Sequence, residues 1–192
     1  MDNTILTTDL DLAAHTGKGV WAKNIKSGVL AKLSVADPEI KVGSTDIFTF
    51  LTDSEDHAIL VRAIKVTGLK ETLEGKGRFT AFAPNDAAFN ALGDEVLESL
   101  FKAENRAVLK EVISYHVMPG SQGVNELTRA VNGNGGEARL KTLNGSTLNV
   151  RLNGDKVVIV GANDGAKAMI VSGDKVQNNG MVHTINTVVM PN

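Results

Sequence analysis

Apolar side chains recur every three to four residues in the middle of the chain and every second residue towards its end. The first spacing gathers apolar groups on one face of a helix, and the second gathers them on one face of a strand. The helical spacing predicts helices over 46–51, 56–66, 94–100 and 104–114. Helices first and strands later indicate an α+β fold.

Local residues predict where these helices begin and end, and which faces they bury. Gly68 suits the position after the second helix, where a left-handed residue commonly ends the turn. Pro84 ends a short strand over 79–83, and Asn85 or Asp86 can cap the helix that follows. The expected buried positions are Ile59, Leu60, Ala63 and Ile64 in the second helix, and Val108, Leu109, Val112 and Ile113 in the fourth.

Alternating apolar positions predict strands in the last third of the chain, after a glycine-rich loop over 133–136. The alternation runs through 148–152, 158–160 and 182–189. Asn-Gly pairs at 144–145 and 153–154 are typical of tight hairpin turns.

The first 45 residues differ from the rest and are predicted to form a separate arm, followed by a domain over 46–192. Trp21, Ile25, Val29 and Leu33 give one short helix an apolar stripe, and the helix ends before Pro38. Such a helix is marginal alone and buries its stripe elsewhere, either on its own domain or on another subunit. We expect an assembly element with Trp21 as its anchor.

Composition excludes several classes of protein. Lys and Arg number 20 and Asp and Glu 22, so the net charge of −2 predicts no basic field for nucleic acid. Apolar runs do not exceed about four residues, far fewer than a membrane span needs. The absence of cysteine excludes thiolate catalysis and zinc–sulfur sites.

Four histidines, at positions 15, 57, 116 and 183, are the candidate metal ligands, but their spacing matches no metal motif. We expect His116 and His183 to be hydrogen-bonded within or beside the core. His57 is expected on the surface or at a helix start. The Asn and Asp at 163–165 predict a plain turn rather than a calcium loop. No metal, cofactor or catalytic residue is predicted.

Three stretches together resemble the fasciclin domain family. Residues 79–89 (FTAFAPNDAAF) resemble its first signature, 115–117 (YHV) its central Tyr-His motif, and 179–186 (NGMVHTIN), continuing to Pro191, its closing signature. Their order and separation also match the family. The similarity covers about residues 46–192.

This resemblance implies a fasciclin-like fold with N-terminal helices and a C-terminal β-sandwich or wedge. It also implies a non-enzymatic adhesion module that binds protein or glycan partners outside the cell or at its surface. In animal members, Tyr115, His116 and Val117 would correspond to a proposed integrin-binding element. This chain departs from the family in having Asn186 in place of an acidic residue and Met181 in place of a β-branched one.

An alternative comes from the N-terminal arm. Residues 3–6 and 28–46 loosely resemble the arm of tailed-phage major capsid proteins. That resemblance implies a capsid decoration protein on the virion surface, anchored to capsid subunits through residues 1–45. The other alternative is that the segment is a leader or a helix that packs on the domain.

Overall fold

The computed structural model describes residues 45–162 and 165–191. Within these ranges the chain forms seven α-helices, one 3₁₀ turn at Ala103–Asn105, and seven strands. The helices are α1 Ile47–Thr52, α2 Ala58–Thr67, α3 Lys70–Glu74, α4 Asp86–Asn90, α5 Asp94–Leu100, α6 Arg106–Tyr115 and α7 Val124–Gly133. The strands are β1 Phe79–Pro84, β2 Val117–Pro119, β3 Glu137–Lys141, β4 Thr147–Asn153, β5 Lys156–Val160, β6 Lys167–Gln177 and β7 Gly180–Ile185.

The predicted helix boundaries are confirmed where a side chain or a glycine specifies them. The Asp46 carboxylate accepts a hydrogen bond from the Thr49 N–H at 2.8 Å and so begins α1. The Asn85 side chain accepts one from the Ala88 N–H at 2.9 Å and begins α4. Gly68 ends α2 in the left-handed conformation, with φ of 72°.

One detail of the helical predictions is wrong, and one helix was not predicted. Val108 was expected in the buried stripe of α6, but half of its surface is exposed. It precedes Leu109 by one residue and therefore lies about 100° around the helix from it, outside the face that packs inward. The sequence patterns also did not predict α7, which precedes the expected loop at 133–136.

The seven strands form one mixed sheet in the order β2-β1-β7-β6-β5-β4-β3. Strands β1 and β7 run parallel, and every other neighbouring pair is antiparallel. Strand β6 is shared by two halves of the sheet. It pairs with β5 only through residues 167–169 and then with β7 from Ile170 onward, with register shifts before and after Ser172. Such bulges bend a strand, so the sheet changes direction along β6.

The strand predictions are confirmed for β1, β4 and β5, and the two hairpin glycines, Gly145 and Gly154, have φ of 81° and 59°. The last strand was expected to reach residue 189, but β7 ends at Ile185. There the Asn186 side chain turns the chain by accepting a hydrogen bond from the Met169 N–H at 2.8 Å. Strand β6 was not predicted.

Two apolar cores pack against opposite faces of β1. The first is formed by α1–α6 with β1 and β7, and includes Phe89. The second is formed mainly by α7 with β3–β6, and includes Phe82 from β1 and Tyr115 from α6. Each buried aromatic side chain contributes about 1.5–3 kcal/mol of burial free energy. The Leu143 N–H donates to the Val117 carbonyl at 2.8 Å, which brings the two ends of the sheet together.

Some predictions lie outside the described residues. These are the helix of Trp21, Ile25, Val29 and Leu33 with its assembly role, and the turn at 163–165, whose first two residues are not described. Within the described ranges, no helix has both the length and the apolarity needed to cross a bilayer.

Candidate binding surface

The three residues predicted to contact a partner, Tyr115, His116 and Val117, are all buried where α6 passes into β2. The Tyr115 hydroxyl donates to the Thr147 carbonyl at 3.0 Å, which ties α6 to the start of β4. In this structure the three side chains are enclosed by the protein's own atoms and support the core. Their predicted contact with a partner stays untested.

His116 is a structural histidine, held in the core by two backbone groups. Its Nδ1–H donates to the Val112 carbonyl at 2.7 Å, and its Nε2 accepts from the Val189 N–H at 3.1 Å. Burial lowers the pKa of His116 to about 4, since a charged imidazole would be desolvated there. The ring is therefore neutral near pH 7 and joins the last described segment of the chain to α6.

His183 joins three elements in the same way. Its Nε2–H donates to the Gln122 carbonyl at 2.8 Å, and its Nδ1 accepts from the Asp174 N–H at 3.1 Å. Burial lowers its pKa, and the ring stacks on Phe82 with centroids 5.6 Å apart. Asp174, in the left-handed conformation with φ of 55°, accepts from the Val124 N–H at 2.8 Å and thereby caps α7.

His57 was predicted either at a helix start or on the surface. It lies at the start of α2 and is buried. Its Nδ1 lies 2.7 Å from the Ser54 hydroxyl, and burial lowers its pKa. All three histidines in the described part of the chain thus serve the fold. Those residues contain no group of three or more His, Asp or Glu side chains placed to hold a metal ion.

The face of β3–β6 opposite the second core is here called the outer β-face. Most of its side chains are exposed or half-buried, whereas Val158 and Val160 are buried. Pairing between the strands places these side chains in rows, as with Glu137, Arg151, Val158 and Met169. Alternation along each strand defines the full set. It comprises Glu137, Arg139 and Lys141 on β3; Thr147, Asn149, Arg151 and Asn153 on β4; Lys156, Val158 and Val160 on β5; and Lys167, Met169 and Val171 on β6.

The outer β-face is basic. It carries five cationic side chains, from Arg139, Lys141, Arg151, Lys156 and Lys167, and the single carboxylate of Glu137. Hydrogen bonds from Arg151, at 2.6 Å, and then from Arg139, at 3.2 Å, hold the pKa of Glu137 below its usual range. The net charge of −2 does not reveal this face, because it is a sum over the whole chain.

An apolar strip runs through the same face, along β5 and β6. Met169 and Val171 are 36% and 56% exposed, and Val158 lies beside Met169 in the ladder. A depression of about 430 Å³ opens where β6 leaves β5, and Val124 at the start of α7 lines it together with Met169 and Val171. A second, of about 490 Å³, lies on the other side of Met169 and reaches Lys167. Apolar strips bordered by charge are typical of binding surfaces.

Comparison with known proteins gives one consistent result. The Fasciclin domain family model matches residues 55–191. Protein sll1483 of Synechocystis sp. is 35% identical across 97% of this chain and 99% of its own length, so the similarity includes most of residues 1–45. The transforming growth factor-beta-induced protein ig-h3 of Sus scrofa is 31% identical across 88% of this chain, which spans only 23% of that protein.

The fold also has a solved counterpart. A FAS1 domain pair from the insect cell adhesion molecule Fasciclin I superposes with a TM-score of 0.66, covering 75% of this chain and 50% of that one. The two sequences are 19% identical, so this likeness concerns the fold alone. These comparisons do not support the resemblance of residues 1–45 to a capsid arm. The family match over more than half of the chain confirms the resemblance drawn from its three signatures: the chain belongs to the fasciclin domain family.

Proposed function

We propose that this protein is a non-enzymatic adhesion module that works outside the cell or on its surface and binds acidic protein or glycan partners through the outer β-face. The observation that supports this most directly is the charge of that face, five cations to one carboxylate, in a chain whose net charge is −2. Core packing does not require this concentration of cations. A field of one sign attracts partners of the opposite sign and speeds their association.

The histidines support a binding role rather than a catalytic one. A general base needs a titratable atom within reach of substrate. The ring nitrogens of His116 and His183 are both occupied by backbone groups in buried surroundings. A neutral, fully bonded imidazole stabilises the fold and leaves no atom free for proton transfer.

The kind of partner follows from the side chains on the surface. The outer β-face has no aromatic residue among the positions that define it, so it offers no platform for stacking bases. Lysine and arginine can pair with carboxylate or sulfate, and the amides of Asn149 and Asn153 can bond hydroxyl groups. Exposed Met169 and Val171 add apolar contact. Together these groups favour acidic proteins and acidic glycans over nucleic acid.

Binding of the full chain to immobilised polyglutamate and dextran sulfate, with neutral dextran as the reference, tests this proposal. The double variant Lys156→Glu, Lys167→Glu should bind both acidic probes at least about tenfold more weakly, since several charge pairs are lost. Lys76→Glu reverses the charge of one exposed lysine outside the face and is the control for a change of charge elsewhere. Equal binding by the double variant and the control would refute the outer β-face as the site.

A further inference from the structure

Charge is divided unevenly between the two halves of the described domain. Residues 45–116, which form the helical layer and β1, contain 12 acidic and 8 basic side chains. Residues 117–191, which contain the outer β-face, have 5 acidic and 7 basic ones. One molecule thus carries a negative and a positive region.

Exposed apolar side chains follow the same division. Among the described residues, the large hydrophobic side chains with the most exposed surface are Val96 and Val108 on the acidic half, and Met169 and Val171 on the basic half. Val96 is 45% exposed and lies on α5. Exposed apolar groups within a charged surround are typical of interaction sites.

Helix α5 concentrates the negative charge. Asp94, Glu95 and Glu98 are exposed around Val96, and none of the three forms an ion pair with another described residue. We call these four residues the acidic patch. Beside it, a depression of about 290 Å³ lies between α2 and α5, with Ile59, Leu97 and Phe101 in its lining.

Arg62 on α2 forms one side of the depression beside the acidic patch. The Arg62 guanidinium lies 4.5 Å from the centre of the Phe101 ring, and Arg62 and Lys102 line the depression together with Glu98. An apolar side chain that protrudes from another molecule, such as Met169 or Val171, could enter this depression while the carboxylates meet cations around it.

We propose that the outer β-face of one copy of this protein binds the acidic patch of a second copy. The inference rests on the proposed function, because it assigns a partner to the same face. Lys156 and Lys167, which form no ion pair with another described residue, meet Glu95 and Glu98 of the second copy, while Val96 packs near Met169 and Val171.

The two surfaces differ, so a bound pair retains one unused surface of each kind, an acidic patch on one copy and an outer β-face on the other. A heterologous contact of this type adds molecules head to tail and makes chains instead of closed dimers. Because the pairs at its rim are exposed, added salt screens the contact. A surface-bound layer of such open chains would grow at low ionic strength and dissolve at high ionic strength.

Charge exchange between variants tests the contact. Sedimentation velocity of the full chain across a concentration series, at low and at high salt, measures self-association. One variant reverses the acidic patch, Glu95→Lys with Glu98→Lys, and the other reverses the face, Lys156→Glu with Lys167→Glu. Each alone should associate at least about tenfold more weakly than the unmodified chain at low salt. Mixed together, they present opposite charges again and should associate.

Further variants separate charge from folding. Thermal unfolding checks that each reversed variant remains folded, and Val96→Asn removes the apolar contact without changing charge. Val96→Asn should also weaken association. The pair Lys76→Glu and Glu71→Lys reverses exposed charges outside both surfaces and should associate as the unmodified chain does.

Three results would overturn the proposal: no association of the unmodified chain at low salt, association that persists in both reversed variants, or no recovery in the mixture. Association through residues 1–44 would appear as the second result. The proposed function is tested separately, because the variant Glu95→Lys, Glu98→Lys keeps the outer β-face and should still bind polyglutamate. If the unmodified chain binds polyglutamate but not itself, only the self-association fails.

Discussion

Acidification should destabilise this domain well before its carboxylates titrate, and His116 allows the effect to be calculated. The pKa of the folded state is about 4, against an ordinary value of 6.5 that the unfolded chain recovers. Between these two values the unfolded state binds the proton and the folded state does not. Stability is therefore complete above about pH 6.5 and falls as pH decreases towards 4.

The size of the effect follows from the two pKa values. Going from pH 7 to pH 5, one histidine with this difference lowers the free energy of unfolding by about 2 kcal/mol. Burial also lowers the pKa values of His57 and His183, so these two residues further decrease the free energy of unfolding as the pH falls. Ordinary carboxylates stay ionised over most of this interval, with pKa values of about 4. The total loss should therefore exceed 2 kcal/mol.

Urea unfolding followed by circular dichroism at pH 7, 6 and 5 measures this loss directly. The control is His116→Gln, whose amide offers one donor and one acceptor but does not titrate. The variant should be less stable at pH 7, yet it should lose about 2 kcal/mol less between pH 7 and pH 5. An equal pH dependence in the variant and the unmodified chain would refute the assignment to His116.

Three further outcomes are expected. A fragment of residues 45–192 should show one cooperative unfolding transition in calorimetry, because both cores lie within it and the Thr45 carbonyl accepts a hydrogen bond from the Asn178 N–H at 3.0 Å. A molten fragment without a cooperative transition would contradict this. Asn179→Ala should lower the free energy of unfolding in urea by about 3 kcal/mol, because the buried amide accepts a hydrogen bond from the Ile47 N–H at 2.9 Å and donates one to a backbone carbonyl. The control Asn178→Ala, at an exposed position, should lower it by less than about 0.5 kcal/mol. Asp174→Ala should lower the free energy of unfolding by about 1 kcal/mol, because it removes the cap of α7. Asp174→Asn still accepts a hydrogen bond and tolerates positive φ, so its stability should be nearly unchanged. Equal losses of stability in the two variants would argue against the cap.

Helices and turns whose specification is local could be predicted from the sequence. Asp46, Asn85 and Gly68 act within a few residues of themselves, so their neighbours suffice to place the ends of α1, α4 and α2. The hairpins at Gly145 and Gly154 follow from the same short-range chemistry. The buried roles of His116 and His183 were also anticipated, from their position in motifs that fold.

Strand β6 could not be predicted because its bulge interrupts the alternation. Ser172, Gly173 and Asp174 resemble a turn in sequence, and pairing with β7 and the bond from the Asp174 N–H to the His183 ring hold them within a strand. Helix α7 is similar, since the Asp174 carboxylate that caps it lies 50 residues away. The outer β-face was missed for the same reason: its cations come from four strands and gather only when the strands pair.

The position of β7 has a consequence for the order of folding. It is the last strand of the domain in the chain but lies between β1 and β6, and its pairing with β1 joins Phe79 to Gly180 across about 100 residues. During synthesis, β1 and β6 each keep one unpaired edge until β7 has been made and has folded between them. Long-range pairing of this kind is slow and exposes strand edges to aggregation. A truncation that removes β7 would therefore leave both cores open instead of trimming one edge.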